Sequence, residues 1–254
     1  CGAPDAVART VLPSRRGACP ACGEPSIVNS TPHLAVIGAG LAGLSCAAAL
    51  QQAGLNVTVC EKSRGAAGRM STRRGEDWQC DHGAQYFTAR HPDFRAEIER
   101  WVRAGVAGTW APGLQVLGGS PDRVPDAALE RFVGVPAMTA PARHLAQALS
   151  LVTQTTVTQL QRVAHRWQLS TAERGLLVDR FDAVLLATPA PQAAALLRQP
   201  APDLAARAGS ANMRGSWALM LRFGAPVELP FDGAFVNDGP LRWIARNNSK
   251  PGRG

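Results

Sequence analysis

The sequence predicts an α/β fold, and three observations carry that expectation. The apolar run 34–37 is unbroken enough to be buried on both faces, as a parallel strand is, and further stretches of strand length lie at 55–60 and 181–187. The stretch 41–53 is rich in Ala and Leu and of helical length, and Gly54 ends it where a left-handed cap is wanted. Between the first run and this helix lies a glycine turn, Gly38-Ala39-Gly40-Leu41-Ala42-Gly43.

The spacing of that turn is chemical. Gly38 permits the tight exit from the strand, Gly40 lets backbone approach a pyrophosphate, and Gly43 lets the helix pack against the sheet. The helix N-terminus adds free N–H groups and partial positive charge, so Leu41 and Ala42 join the glycines as cofactor-binding candidates. Glu61 closes the second strand a little over twenty residues on, where a carboxylate accepts hydrogen bonds from a ribose. Strand, turn, helix, strand and acid in this order point to a dinucleotide and a Rossmann-type domain.

The segment after Glu61 selects the dinucleotide. Lys62, Arg64, Gly65, Gly68, Arg69, Arg73 and Arg74 form a second cationic, glycine-bearing loop. An extended cofactor whose pyrophosphate and ribityl chain run past the second strand has a use for that loop, and a nicotinamide dinucleotide does not. FAD is the expected cofactor, with Lys62, Arg64, Gly68 and Arg69 among its binding residues. Ala67 stands where glycine is common in flavoproteins, which sets the loop slightly farther from the ribityl chain.

Size and composition agree. The 254 residues can bury a large core, and 46% hydrophobic with 18% charged residues is ordinary for a globular protein. No apolar run reaches membrane-spanning length and no secretory signal is visible, so the expectation is a cytoplasmic protein without membrane contact, although the chain begins at Cys1. The net charge of +8 permits nucleic-acid binding. Much of the excess sits where an anionic dinucleotide uses it, and no aromatic residues interleave it, so no nucleic-acid partner is expected. Cys46, Cys60 and Cys80 read as small buried hydrophobes in a reduced pattern.

Residues 1–31 differ in kind, rich in Pro, Gly and Ser without an apolar period, and are expected to lie outside the flavin domain as a flexible segment. Cys19 and Cys22, with Cys1 upstream, are weak zinc candidates, because a structural site normally has four ligands and only three are present. No metal is expected.

Beyond the arginine loop, Asp81-His82-Gly83-Ala84-Gln85-Tyr86-Phe87-Thr88 precedes an expected helix at 92–103. The run 110–135 reads as short antiparallel strands, and Pro141 opens a helix with Leu145, Ala148 and Leu149 on one face. Residues 155–178 are strand-like with a polar turn at 170–175, and the apolar run 181–187 ends at Thr188-Pro189, where ligands of open α/β sheets bind. Residues 216–223 and 231–235 read as strands of a covering domain, followed by Leu241-Arg242-Trp243 and the run to Gly252.

From His33 to Arg74, in the DHGAQYFT run and in the segment from Trp243 through Ser249-Lys250-Pro251-Gly252, the chain resembles the renalase-like branch of the amine-oxidase-like flavoproteins. The resemblance implies a Rossmann-type FAD-binding domain with an interleaved, mostly antiparallel α+β substrate domain. The expected boundaries are 32–105 and 139–204 for the flavin part, and 106–138 and 205–254 for the substrate part, with Ala137 where glycine is expected. It implies that Gly83, Ala84 and Gln85 pass the flavin ring, with Gln85, His82 and Trp243 in positioning roles. Val157 either holds the adenine through its backbone or is an ordinary strand valine, and Trp243 either faces the substrate or is core. The implied activity is oxidation of isomers of reduced nicotinamide dinucleotides, with hydride passing to flavin N5 and dioxygen returning as hydrogen peroxide. A flavin amine oxidase is the alternative, with a single tyrosine, Tyr86, arguing against an aromatic cage. A further alternative is an inactive flavoprotein remnant, because family members continue past the SKPG run into a segment that closes over the flavin, or a zinc-ribbon binding module built on the N-terminal cysteines.

Overall fold

The first apolar run becomes the middle of a parallel sheet. The computed structural model describes residues 31–119, 126 and 128–253. The chain runs β1 (His33–Ile37), α1 (Leu41–Gln52), β2 (Asn56–Cys60), β3 (Thr72–Arg74), β4 (Gln79–Asp81), α2 (Pro92–Arg103), β5 (Ala107–Trp110) and β6 (Leu114–Leu117). It continues through β7 (Arg131–Gly134), α3 (Ala140–Ala146), β8 (Ser150–Val152), β9 (Val157–Val163), β10 (Arg166–Thr171), β11 (Gly175–Phe181) and β12 (Ala183–Leu186). Helices α4 (Ala190–Leu197) and α5 (Pro202–Gly209), strands β13 (Gly233–Val236) and β14 (Trp243–Ala245), and a 3₁₀ turn at Asn247–Ser249 complete it.

The principal sheet has the order β12-β1-β2-β8, and every pairing in it is parallel. Ile37 pairs with Cys60 on one side and Leu186 on the other, so three strands end together along one edge of the sheet. Both faces are covered, which is why these strands are apolar throughout rather than alternating. On one side Val36, Val59 and Met138 pack with Leu44 and Ala47 of α1, whose small side chains let it lie close to the sheet. On the other, Ala35, Ile37 and Cys60 meet Leu160, Leu169 and Phe181 from the antiparallel layer β11-β10-β9. Burial of each such large side chain contributes about 1.5–3 kcal/mol.

Helix α2 is fixed at its start by His91, whose Nδ1 accepts from the Asp93 amide at 3.3 Å, and by Pro92 in the first turn. It buries Ile98 and Trp101, and Trp101 meets Phe87 edge-on with ring centroids 6.0 Å apart.

Several expectations require correction. The helix opened by Pro141 ends at Ala146, leaving Ala148 and Leu149 beyond it, where the chain turns into β8. The expected turn at 170–175 is shorter, because β10 runs through Thr171 before reversing. The covering strands are mostly antiparallel, as expected, with one parallel pairing among them. β13 pairs antiparallel with β14 but parallel with β6, and these last two are too far apart in sequence to be held by a hairpin turn. Residues 216–223 form no strand, because no neighbouring backbone among the described residues pairs with them. Trp217, Leu219, Leu221 and Phe223 stand 102, 84, 66 and 59% exposed. The Cys19 and Cys22 candidates lie outside the described residues. No helix among the described residues is long and apolar enough to cross a membrane.

Candidate functional site

The site begins where β1 ends. Gly38 has φ +106°, and a Cβ there would lie 2.9 Å from the Ala187 carbonyl oxygen. A Cβ on Gly43 would lie 2.0 Å from the Gly38 carbonyl oxygen, so only glycine lets α1 start against the turn. Gly40 is different. It is extended, with φ −73° and ψ 172°, and a Cβ on it would meet nothing within 4 Å. The space before Gly40 is therefore open while its neighbours on either side are closed by backbone, which is the shape of a cradle for an approaching group. Helix α1 opens on this space with neither a side-chain cap nor an acidic residue in its first turn, leaving its free N–H groups and positive end uncompensated.

Glu61 is buried at the end of β2 and does more than the sequence suggests. Its Oε2 accepts from the Ala39 amide at 2.7 Å and its Oε1 from the Ser63 amide at 2.8 Å. The carboxylate thus ties the second strand to the glycine turn, and each oxygen keeps a lone pair for a ribose hydroxyl. The arginine loop then returns to the same turn. The Ala67 amide donates to the Ala39 carbonyl at 3.0 Å, and a Cβ on Gly68 would lie 3.1 Å from the Gly40 Cα. Ala67 adopts φ +125°, a strained conformation for a residue with a Cβ, while making this contact. Lys62, Arg64 and Arg69 are exposed beside this opening, and no ion pair holds them among the described residues.

The next segment packs directly on the loop. A Cβ on Gly83 would lie 2.1 Å from the Arg69 carbonyl oxygen, and the Ala84 amide donates to that oxygen at 2.9 Å. His82 is half-buried and its amide donates to the Ser71 carbonyl at 3.2 Å. Gln85 turns its amide inward. Its Nε2 donates to the Asp81 and Gly83 carbonyls at 2.8 and 3.2 Å, and its Oε1 accepts from Lys250 Nζ at 3.0 Å. The Gln85 side chain therefore braces the loop from within.

Beneath this loop lies a buried ionic cluster that sequence reasoning missed. The Asp81 Oδ2 accepts from Arg253 Nη2 at 2.7 Å, from Arg253 Nε at 3.1 Å and from Lys250 Nζ at 3.3 Å, and all three side chains have no exposed surface. The Asp81 Oδ1 accepts from the Thr72 hydroxyl at 2.7 Å and the Met138 amide at 3.2 Å. Burial raises the Asp81 pKa, but the Thr72 hydrogen bond and the charges of Lys250 and Arg253 outweigh it and hold the carboxyl below its usual range. Burial pushes the Lys250 pKa down, and the attraction of Asp81 only partly restores it. No local pattern announces this cluster, whose members are 169 and 172 residues apart in sequence.

Aromatic side chains stand next to it. Tyr86 lies 6.1 Å from Trp110 and 5.7 Å from Trp243, and Trp243 lies 4.8 Å from Phe235, all between ring centroids. Arg131 sits over Tyr86 and Lys250 over Trp110, 5.6 and 5.7 Å from the ring centres. The single tyrosine thus joins an aromatic wall that no count of tyrosines could reveal. The Trp243 ring packs against the core, and its Nε1 is buried without a partner among the described residues. Thr188 reaches the Gly38 turn, its Cγ2 lying 3.5 Å from where a Gly38 Cβ would be, and its Oγ1 is also buried without a partner. Val157, half-buried at the start of β9, packs toward Cys60. Among the described residues no group of His, Cys, Asp and Glu could hold a metal.

These residues fit FAD. The Gly40 opening suits a pyrophosphate, Glu61 suits a ribose, Thr188 has an unsatisfied hydroxyl at the turn, and Gly83 to Gln85 continue the surface past Arg69. Residues 36–101 match the family of NAD(P)-binding Rossmann-like domains. Among curated relatives, the L-amino acid oxidase Cdc18 of Crotalus durissus cumanensis is 36% identical over 76 residues, 30% of this chain and 15% of that protein. The L-amino-acid oxidase of Siganus canaliculatus is 40% identical over 70 residues, 27% of this chain and 13% of that one. The chain therefore spans about 15% of the length of the curated relatives it matches.

Among solved structures, one described as a protoporphyrinogen oxidase of Exiguobacterium sp. 255-15 has a TM-score of 0.61 at 14% identity, covering 87% of this chain and 74% of that one. Putrescine oxidase bound to putrescine has a TM-score of 0.51 at 14% identity, covering 66% and 60%. The fold is that of these solved oxidases, the nucleotide-binding part is similar in sequence to that of L-amino acid oxidases, and the residues at the glycine turn fit FAD.

Proposed function

We propose that this protein is a renalase-like flavin oxidase acting on isomers of reduced nicotinamide dinucleotides. The observation that carries the reading is the charge around the aromatic wall. The charged groups set against its rings, Arg131 and Lys250, are both cationic, and Arg64, Arg69, Arg73 and Arg74 are exposed nearby along the chain. Such surroundings repel a protonated amine and attract a phosphate-bearing substrate. A flat dihydronicotinamide ring suits the half-buried rings of Tyr86 and Trp243, which pack with the buried Trp110. The role of these residues is to align the substrate and exclude water, so no acid-base dyad is required of them. When bound, FAD supplies the acceptance of two electrons and the reaction with dioxygen that gives hydrogen peroxide. A second reading, oxidation of an amino acid, is favoured by the similarity to L-amino acid oxidases, since the same cations could hold a carboxylate.

Anaerobic titration of the yellow holoprotein separates the two. Bleaching of the flavin absorbance by isomers of dihydronicotinamide dinucleotides, with no response to L-amino acids or putrescine, is expected. Bleaching by amino acids or amines alone overturns the dinucleotide reading.

A further inference from the structure

Among the described residues the Asp81 cluster does not balance its charge. Two cations, Lys250 and Arg253, share one carboxylate, and none of the three has exposed surface. The other titratable group against Lys250 is the Cys80 thiol, whose pKa burial pushes up, so it brings no negative charge at neutral pH. The remaining neighbours carry no formal charge: the Thr72 hydroxyl, the Met138 amide, the Gln85 amide, the Trp110 ring, and the Gly134 and Pro251 carbonyls, which accept from Arg253. Among the described residues one buried positive charge is left over. A lone buried charge is expensive unless something compensates it.

Its position suggests what does. Lys250 Nζ donates to Gln85 Oε1 at 3.0 Å, and the Gln85 amide in turn holds the Gly83 carbonyl at 3.2 Å. The opposite side of Gly83 and Ala84 rests on the Arg69 carbonyl, in the loop that returns to the Gly40 cradle. The cluster is thus the support of the loop Gly83 to Gln85, one layer beneath the surface that continues the cofactor site.

We propose that the surplus charge of Lys250 and Arg253 over Asp81 is the counter-charge for reduced flavin, with Lys250 acting through the Gln85 loop as a positioning residue. A flavin that takes up two electrons and one proton gains one negative charge, and a fixed cation in a water-poor site favours that form over the oxidised one. Oxidised FAD is neutral at its ring, so the same cation is uncompensated before turnover and balanced after it. The inference rests on the FAD site but not on the substrate, and it applies equally to a dinucleotide or an amino acid oxidase.

The test uses the purified holoprotein and reference dyes, without substrate. Lys250→Met is expected to shift the two-electron reduction equilibrium tenfold or more toward oxidised flavin, about 30 mV, while Lys250→Arg, which keeps the charge, remains within about threefold of wild type. Equal shifts in both variants would mean that packing alone is at work and would overturn the proposal. So would a Lys250→Met protein that keeps its flavin and an unchanged potential, which leaves the FAD site standing.

The wild-type protein gives a measurement free of folding defects. In the mildly acidic range where free flavin takes up two protons with two electrons, the bound flavin is expected to take up one, so its midpoint falls by about 30 mV per pH unit. A fall of about 59 mV per pH unit shows neutral reduced flavin and overturns the proposal. Failure to bind FAD under any condition overturns this inference and the cofactor site together.

Discussion

Gly40→Ala separates a cofactor site from a structural turn. In the chain itself the substitution is nearly free, because φ −73° and ψ 172° suit alanine and no atom lies within 4 Å of the new Cβ. Two small terms oppose one another in the protein alone. Reduced freedom of the unfolded chain adds about 0.4–1 kcal/mol of stability, and loss of glycine at the N-cap position subtracts a similar amount. The apoprotein is therefore expected to melt as wild type does.

The cofactor meets a different situation. A methyl group set where the backbone should approach the pyrophosphate costs about 1–3 kcal/mol, as overpacking does, which weakens FAD binding roughly 5- to 150-fold. Quenching of flavin fluorescence on titration gives the affinity, and thermal melts with and without FAD give the stability. Gly43→Ala is the contrasting variant, since its Cβ would lie 2.0 Å from the Gly38 carbonyl oxygen and must damage the fold itself. A Gly40→Ala protein that binds FAD with wild-type affinity would refute the assignment of the cradle.

The buried cluster and the exposed strip give two further expectations. Because the Asp81 pKa is held below its ordinary 3.8 in the folded state, its stabilisation is fully present above that value and is lost as pH falls through the lower folded value. Thermal melts from pH 6 to pH 2 should show this acid limb. It should be shallower in Asp81→Asn, which leaves two buried cations unpaired and loses about 3–5 kcal/mol at neutral pH; an unchanged limb would exclude Asp81 as its source. Trp217→Ser with Leu221→Lys changes side chains that are 102 and 66% exposed. The double variant should stay soluble at higher concentration with FAD affinity unchanged, and reduced solubility or lost flavin would show that the strip is packed in solution.

The nucleotide half of the site was legible because its residues act through neighbours close in the chain. The glycine spacing, the Ala-rich helix, Glu61 and the polar exit at Thr188 each carry a local signal, and the structure sets them along one edge of a parallel sheet. Other parts carried no such signal. Strand β8 is three residues long with an exposed first residue, too short to show a period. Residues 216–223 have the alternation of a strand, yet a strand exists only when another backbone completes its ladder.

By itself the sequence determined the turn, the helix that opens on it and the dinucleotide chemistry, because backbone conformation and helix polarity are properties of short segments. Only the tertiary structure decided that Glu61 locks the turn, that Gln85 points inward, and that Lys250 and Arg253 meet Asp81. Those are relations between distant segments, and their energies depend on burial. A charge that would matter little in water becomes decisive once folding has removed the water around it.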